Sequence, residues 1–144
     1  MSTGPHPKLV VHCDGASRGN PGPAGAGSIL TTPEGEVVAE IAEGLGRTTN
    51  NVAEYTAVIH GLQRAQELGA RDVLLRSDSQ LLINQLTGRY RVKTPHLQPL
   101  HRQVRMLAAG FEKIRFEHVR REFNVEADRL ANAGVDAWLA SGGR

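Results

Sequence analysis

Apolar and polar positions divide the chain into short runs of two kinds. Residues 8–14, KLVVHCD, form an apolar run of strand length. The next stretch, GASRGNPGPAG, is dense in glycine and proline, and its glycines read first as turn formers. AGSILTT, about 26–32, reads as a second strand, Pro33–Gly35 as a turn, and EVVAEIAEG as a third strand. Three short strands with tight links predict an antiparallel meander. The period then changes. From Asn51 to about Leu68, Tyr55, Val58, Ile59, Leu62 and Ala65 recur at helical spacing, and Gly69 stops the helix. Asp72–Ser77 reads as a strand and residues 79–87 as helical. A further helix lies between Pro95 and Ala109, closed by Gly110; 114–119 is the last strand, and Asn124 opens a helix to about Leu139.

Strands joined through a helix run parallel, because the crossover returns the chain in the same direction. The pattern therefore predicts an α/β chain. Its sheet is mixed and five-stranded, an antiparallel meander plus two parallel strands, with helices on both faces. One domain is expected over 8–140, with flexible ends at 1–7 and 141–144.

Composition changes this picture in three places. Aromatic content is only 4%, so the core must be aliphatic. Cys13 is the single cysteine, which excludes an internal disulfide and suits a reducing compartment. The opening MSTGPHPKLVV resembles neither a signal peptide nor a membrane span, so a cytoplasmic protein with no membrane partner is expected, and a monomer by default. The net charge of +2 identifies no partner, but its distribution is uneven. Ser79–Phe111 contains no Asp or Glu and carries Arg89, Arg91, Lys93, Arg102 and Arg105 with His96 and His101. Such a stretch is either a solvated basic face or a nucleic-acid footprint.

Four acids stand at element junctions. Asp14 ends the first strand and Asp78 the fourth; Glu54 and Asp128 are expected in the first turns of the helices opening near Asn51 and Asn124. If the first and fourth strands are parallel neighbours, all four converge at the carboxyl edge of the sheet, where open α/β sheets bind ligands. Each acid alone has a structural reading. Asp14–Gly15 could turn, Glu54 could close a capping box with Asn51, Asp78 could cap the helix near Ser79, and Asp128 could complement a helix dipole. Four together at one edge is not expected by chance. Oxygen-only ligands select hard cations, and two ions about 3.5–4 Å apart can clamp a phosphodiester. The natural occupants are two Mg²⁺ ions, with Mn²⁺ as a substitute.

At these residues the chain resembles the type 1 ribonuclease H family. The segments are DGASRGNPGPAGAG (14–27), GRTTNNVAEYTAVIHGL (46–62), LRSDSQLLINQL (75–86) and NVEADRLAN (124–132), each holding one of the four junction acids, and the resemblance runs from about Leu9 to Ala140. It implies the ribonuclease H-like fold, with Asp14, Glu54, Asp78 and Asp128 as catalytic metal ligands. It implies hydrolysis of the RNA strand of RNA–DNA hybrids, leaving 5′-phosphate and 3′-hydroxyl ends, with double-stranded RNA as a second candidate substrate. It also places Asn20, Asn50, Asn51 and Gln80 in the hybrid's minor groove and Arg47 and Thr49 on a phosphate of the DNA strand. A hybrid displays 2′-hydroxyls on one strand only, which short amides can read. The alternative is a catalytically silent hybrid-binding domain of the same fold, which would gain nothing from an acidic cluster.

Two departures from the family pattern stand out. Many relatives carry a histidine in the loop before the last helix; here that loop is the short VRREFN, 119–124. His118 falls on the same alternating face as Ile114 and Phe116 and is expected to pack in the core, leaving Arg121 or Glu122 where the histidine would act. Many relatives also insert a lysine-rich helix and loop; GRYRVKTPHLQPLHRQ is compact, and Arg89, Arg91 and Lys93 are the remaining candidates for that grip, with Tyr90 stacking or packing beside them.

Overall fold

The computed structural model describes residues 5–143. Five strands and four α-helices follow in the order β1 (Lys8–Ser17), β2 (Gly22–Thr31), β3 (Val37–Thr48), α1 (Asn50–Glu67), β4 (Asp72–Ser77), α2 (Gln80–Leu86), α3 (Gln98–Ala109), β5 (Lys113–His118) and α4 (Val125–Ala140). The sheet order is β3-β2-β1-β4-β5. β1–β2 and β2–β3 pair antiparallel, while β1–β4 and β4–β5 pair parallel. The mixed sheet is therefore the expected one.

The meander is longer than the glycine content suggests. β1 runs through Asp14 and Gly15 to Ser17, and the reversal is confined to residues 18–21, where Arg18 N donates to Pro23 O at 2.8 Å. The reading of the 14–27 glycines as turn formers is corrected accordingly: Gly15, Gly22, Gly25 and Gly27 lie in strands. Their role is close approach. A Cβ on Gly15 would sit 2.3 Å from Glu54 N, and one on Gly27 would sit 2.3 Å from Ala131 N. Gly15 thus lets α1 lie on one face of the sheet, and Gly27 lets α4 lie on the other.

α1 is the centre of the core. Tyr55, Val58, Leu62 and Ala65 press against Leu9, Val11, Cys13, Val73 and Leu75, all essentially fully buried. Each large aliphatic side chain so buried contributes about 1.5–3 kcal/mol. α4 meets β1, β2 and β3 through small side chains, with Ala127, Ala131, Gly134 and Val135 buried. Among the described residues no helix is long and apolar enough to cross a membrane.

Of the segment 1–7 that reads as flexible, residues 1–4 lie outside the described residues. His6 is buried, its N–H donating to Leu68 O at 2.8 Å, and Pro7 O accepts from Arg71 N and Asp72 N at 2.9 Å. That end is packed against the α1–β4 connection. Of the tail 141–144, Arg144 lies outside the described residues, and Ser141–Gly143 turn back so that Gly143 N donates to Trp138 O at 3.0 Å.

Gly15→Ala is expected to destabilise the protein by ~1–3 kcal/mol or more, since α1 must shift off β1. Chemical denaturation reads this, and an unchanged midpoint would refute the close-packing role.

Candidate active site

The last registered pair between β1 and β4 is Cys13↔Ser77, so Asp14 and Asp78 follow at the same carboxyl edge. Asp14 stays in the sheet opposite Gly27 of β2 and is buried, its Oδ1 accepting from Gly15 N at 3.0 Å. It makes no Asp-Gly turn. Asp78 is not a helix cap either: Ser79 caps α2, its hydroxyl accepting from Leu82 N at 3.2 Å. Asp128 is in the first turn of α4, where its N–H donates to Asn124 O at 3.1 Å.

Glu54 corrects one expectation. α1 starts at Asn50 with Thr49 as its cap, the Thr49 hydroxyl accepting from Val52 N at 3.3 Å. Glu54 therefore lies beyond the first turn and has no capping-box partner in Asn51. With capping removed as a reading of Asp78 and Glu54, both side chains are free to serve the junction.

The four acids act on one another. The Asp14 carboxyl is pushed up to about 8, first by burial, then by the Asp78 charge, a hydrogen bond shared with Asp128, and the charges of Asp128 and Glu54. Glu54 is pushed up to about 7 by burial and by Asp78, with the Ser79 hydroxyl working in the opposite direction. Among the described residues, the one ion pair to this group is Arg121 Nε with Asp78 Oδ2 at 3.7 Å. Arg121 is 90% exposed, so water screens most of its effect. The protein thus gathers carboxylates without supplying a matching buried cation.

Such a donor set fits a hard divalent cation. No three His, Cys, Asp or Glu side chains among the described residues are placed to hold a metal ion between them. An open set is what Mg²⁺ chemistry uses, because that ion keeps waters and takes phosphate oxygens alongside one or two carboxylates. The Cys13 thiol offers no rival chemistry: burial pushes it up to about 12. A concavity of about 700 Å³ between β3 and α1, lined by Glu40, Glu43, His60 and Arg64, contains none of the four acids.

Most of the residues expected to grip substrate are exposed. Asn20 Oδ1 accepts from Asn50 N at 3.1 Å, docking the β1–β2 turn onto the start of α1. Arg47 and Asn51 are exposed on either side of Thr49, and Gln80 is exposed two residues after Asp78. Arg89, Arg91 and Lys93 are exposed beyond α2, and the two arginines line a separate groove of about 510 Å³ with Gln85, His101 and Arg102. Tyr90 is 54% exposed, so it is available to stack and is not a packing residue. The Tyr55 hydroxyl donates to Gln85 Oε1 at 2.6 Å and ties this groove to the helix bearing Glu54.

His118 is the clearest correction. It ends β5 and is exposed, whereas Ile114 and Phe116 on the same alternation are half-buried. The edge strand runs out of core before it reaches the histidine. Arg121 of the β5–α4 loop is the residue at the acids, and Glu122 is turned to an Arg120 ion pair. Sequence reasoning missed Asn124, which contacts both Asp78 and the carbonyl beside Asp14. Its one visible signal was an N-capping residue type at the start of a helix.

Residues 12–134 match the family model described as reverse transcriptase-like. The chain is 47% identical to the bifunctional protein Rv2228c of Mycobacterium tuberculosis, over 93% of this chain and 37% of that protein. The N-terminal RNase H domain of Rv2228c, solved as a fusion with maltose binding protein, superposes with a TM-score of 0.90 at 46% identity, covering 94% of this chain and 99% of that one. RNase H1 from Halobacterium salinarum gives 0.87 at 44% identity, over 90% and 98%. LC11-RNase H1, solved in complex with an RNA/DNA hybrid, gives 0.87 at 37% identity, over 91% and 99%. The chain spans 37% of the length of the first curated relatives it matches.

Two predictions follow from the electrostatics and exposure. Asp14 and Glu54 have folded pKa values above their ordinary 3.8 and 4.5, so as pH rises the unfolded state releases these protons first. In chelator their contribution to stability therefore falls between about pH 4 and pH 8. Asp14→Asn is expected to melt higher than the parent at about pH 8 by at least ~2 °C, with the gain shrinking toward about pH 5. A gain that is absent, or that grows as pH falls, would contradict the crowding. His118→Ala is expected to change stability by less than ~0.5 kcal/mol, as for an ordinary surface substitution. A larger loss in urea denaturation would restore a packing role.

Proposed function

The chain belongs to the type 1 ribonuclease H family, and from that premise we propose that it is a metal-dependent endoribonuclease hydrolysing the RNA strand of RNA–DNA hybrids. The observation that carries this reading is the convergence of Asp14, Glu54, Asp78 and Asp128 at one sheet edge, with the first two carboxyls pushed up to about 8 and about 7. A domain that only binds a polyanion would be weakened by such a cluster. The solved hybrid complex of the similar LC11-RNase H1 supports the choice of substrate.

Asp14, Glu54, Asp78 and Asp128 would hold two Mg²⁺ ions, with Mn²⁺ as a substitute, and ions so held supply an activated water and charge stabilisation at the leaving oxygen. The protein's own part is to bind, orient and neutralise. Asn20, Asn50, Asn51 and Gln80 flank the acids and take the minor groove, where 2′-hydroxyls mark the RNA strand. Arg47 presents a forked donor, with the Thr49 hydroxyl near it, to a phosphate of the DNA strand. Arg89, Arg91 and Lys93 extend the grip along the backbone, and exposed Tyr90 stands among them. Without metal, burial and the neighbouring charges hold the Asp14 carboxyl up to about 8, so at neutral pH ion binding must displace its proton. Arg121 takes the place of the loop histidine. A guanidinium offers charge to a phosphate and does not shuttle a proton. Hydrolysis leaves 5′-phosphate and 3′-hydroxyl ends. The setting we infer is cytoplasmic and the acting form a monomer.

The test is cleavage of a labelled hybrid, beside single-stranded and double-stranded RNA, with Mg²⁺, with Mn²⁺ and with chelator. Metal-dependent cutting of the hybrid's RNA strand is expected, with Asp78→Asn at least ~100-fold slower, beyond the usual effect of losing an outer-shell partner. Hybrid binding without cutting under either metal would favour a silent binding domain instead.

A further inference from the structure

Three helices open onto the carboxylate edge, and one of them starts differently. Thr49 and Ser79 each cap their own helix with a side-chain oxygen. Asn124 stands at the same position before α4 and is a favoured capping residue, yet its side chain makes no cap. Its amide is 2% exposed and points into the site. Nδ2 donates to Cys13 O at 2.9 Å and lies 3.4 Å from Asp78 Oδ1. The backbone of the same residue accepts from Asp128 N at 3.1 Å.

The orientation of this amide is determined. Reversing it would set Oδ1 against the Cys13 carbonyl and the Asp78 carboxylate, acceptor against acceptor. As it stands, Oδ1 is buried with no hydrogen-bond partner. Leaving a buried acceptor unpaired is unfavourable, and capping α4 would have been favourable. Stability of α4 alone therefore does not account for the side chain.

We propose that Asn124 is a positioning residue: its buried amide ties the ends of β1 and β4 to the start of α4, and so sets the spacing of Asp14, Asp78 and Asp128. Cys13 O is the carbonyl immediately before Asp14, at the last registered pair of β1 with β4. The second amide hydrogen reaches Asp78 directly. Asp128 is carried by the first turn that Asn124 itself begins. One residue thereby links three of the four carboxylates, Asp14 and Asp78 through its side chain and Asp128 through its backbone, against their mutual repulsion. This inference rests on the proposed metal-dependent activity, and it concerns how the site is held before an ion or substrate arrives.

The discriminating variant is Asn124→Ser. Serine can cap α4 with its own hydroxyl but is too short to reach Cys13 O. Melting temperature, Mn²⁺ binding followed by electron paramagnetic resonance without nucleic acid, and kcat and KM on a labelled hybrid would be compared for parent, Asn124→Ser and Asn124→Ala. For Asn124→Ser we expect a folded protein whose Mn²⁺ affinity and kcat are ~10–100-fold lower, the range for lost outer-shell partners, with KM for the hybrid within about twofold. Parental Mn²⁺ affinity and kcat in a folded Asn124→Ser would overturn the proposal. So would failure of both variants to fold at the assay temperature, which would assign the amide to stability. A parent that neither binds Mn²⁺ nor cuts hybrid would instead refute the functional reading, and this inference with it.

Discussion

Carboxylates do not gather willingly, and the architecture here is organised around making them do so. Two unit charges about 4 Å apart repel by roughly 4 kcal/mol at an effective dielectric near 20. In this protein the response is visible in Asp14 and Glu54, whose carboxyls resist ionisation at neutral pH because burial and neighbouring acids penalise the charged form. The nearby guanidinium of Arg121 is too exposed to offset this. A site in that condition would be relieved by a divalent cation.

Holding such a cluster requires rigid elements brought unusually close. The parallel β1–β4 pair delivers two acids to one edge, and helices on opposite faces deliver the other two. Gly15 lets α1 settle on β1 at Glu54, and Gly27 lets α4 settle on β2 one turn past Asp128. The glycines of the first segment, so suggestive of a loop, are instead the places where helix backbone rests on strand backbone. The same interior is aliphatic and small-residue rich, so local shifts are not absorbed by flexible side chains.

Beyond the acids, the surface is built for something long. Asn20 docks on the start of α1, next to Asn51, Gln80 is exposed at the start of α2, and the basic groove of Arg89 and Arg91 lies past α2. Tyr55 connects the two regions through Gln85. A substrate that met both would have to extend over several elements, as a duplex does and a metabolite does not.

Much of this was legible in the residues themselves. The change near Asn51 from short runs bounded by turns to helical spacing separated meander from helix, and the crossover rule made β1 and β4 parallel; together these already implied that Asp14 and Asp78 share an edge. Those are local signals, and local periodicity carries them. What only the folded chain decided depended on neighbours distant in sequence. β1 reaches Ser17 because α1 seats on Gly15 and pairing with β2 continues to Ser17. His118 is exposed because β5 is an edge strand that outlasts the core, which alternation alone cannot reveal. Thr49, not Asn51, caps α1, because the Asn20 turn docks there. Asn124 reads along the chain as a helix opener; only tertiary structure brings Cys13 O, 111 residues away, within reach of its amide. Capping type and strand period are written within a few residues, whereas the partner of a buried side chain is set by which elements the fold packs together.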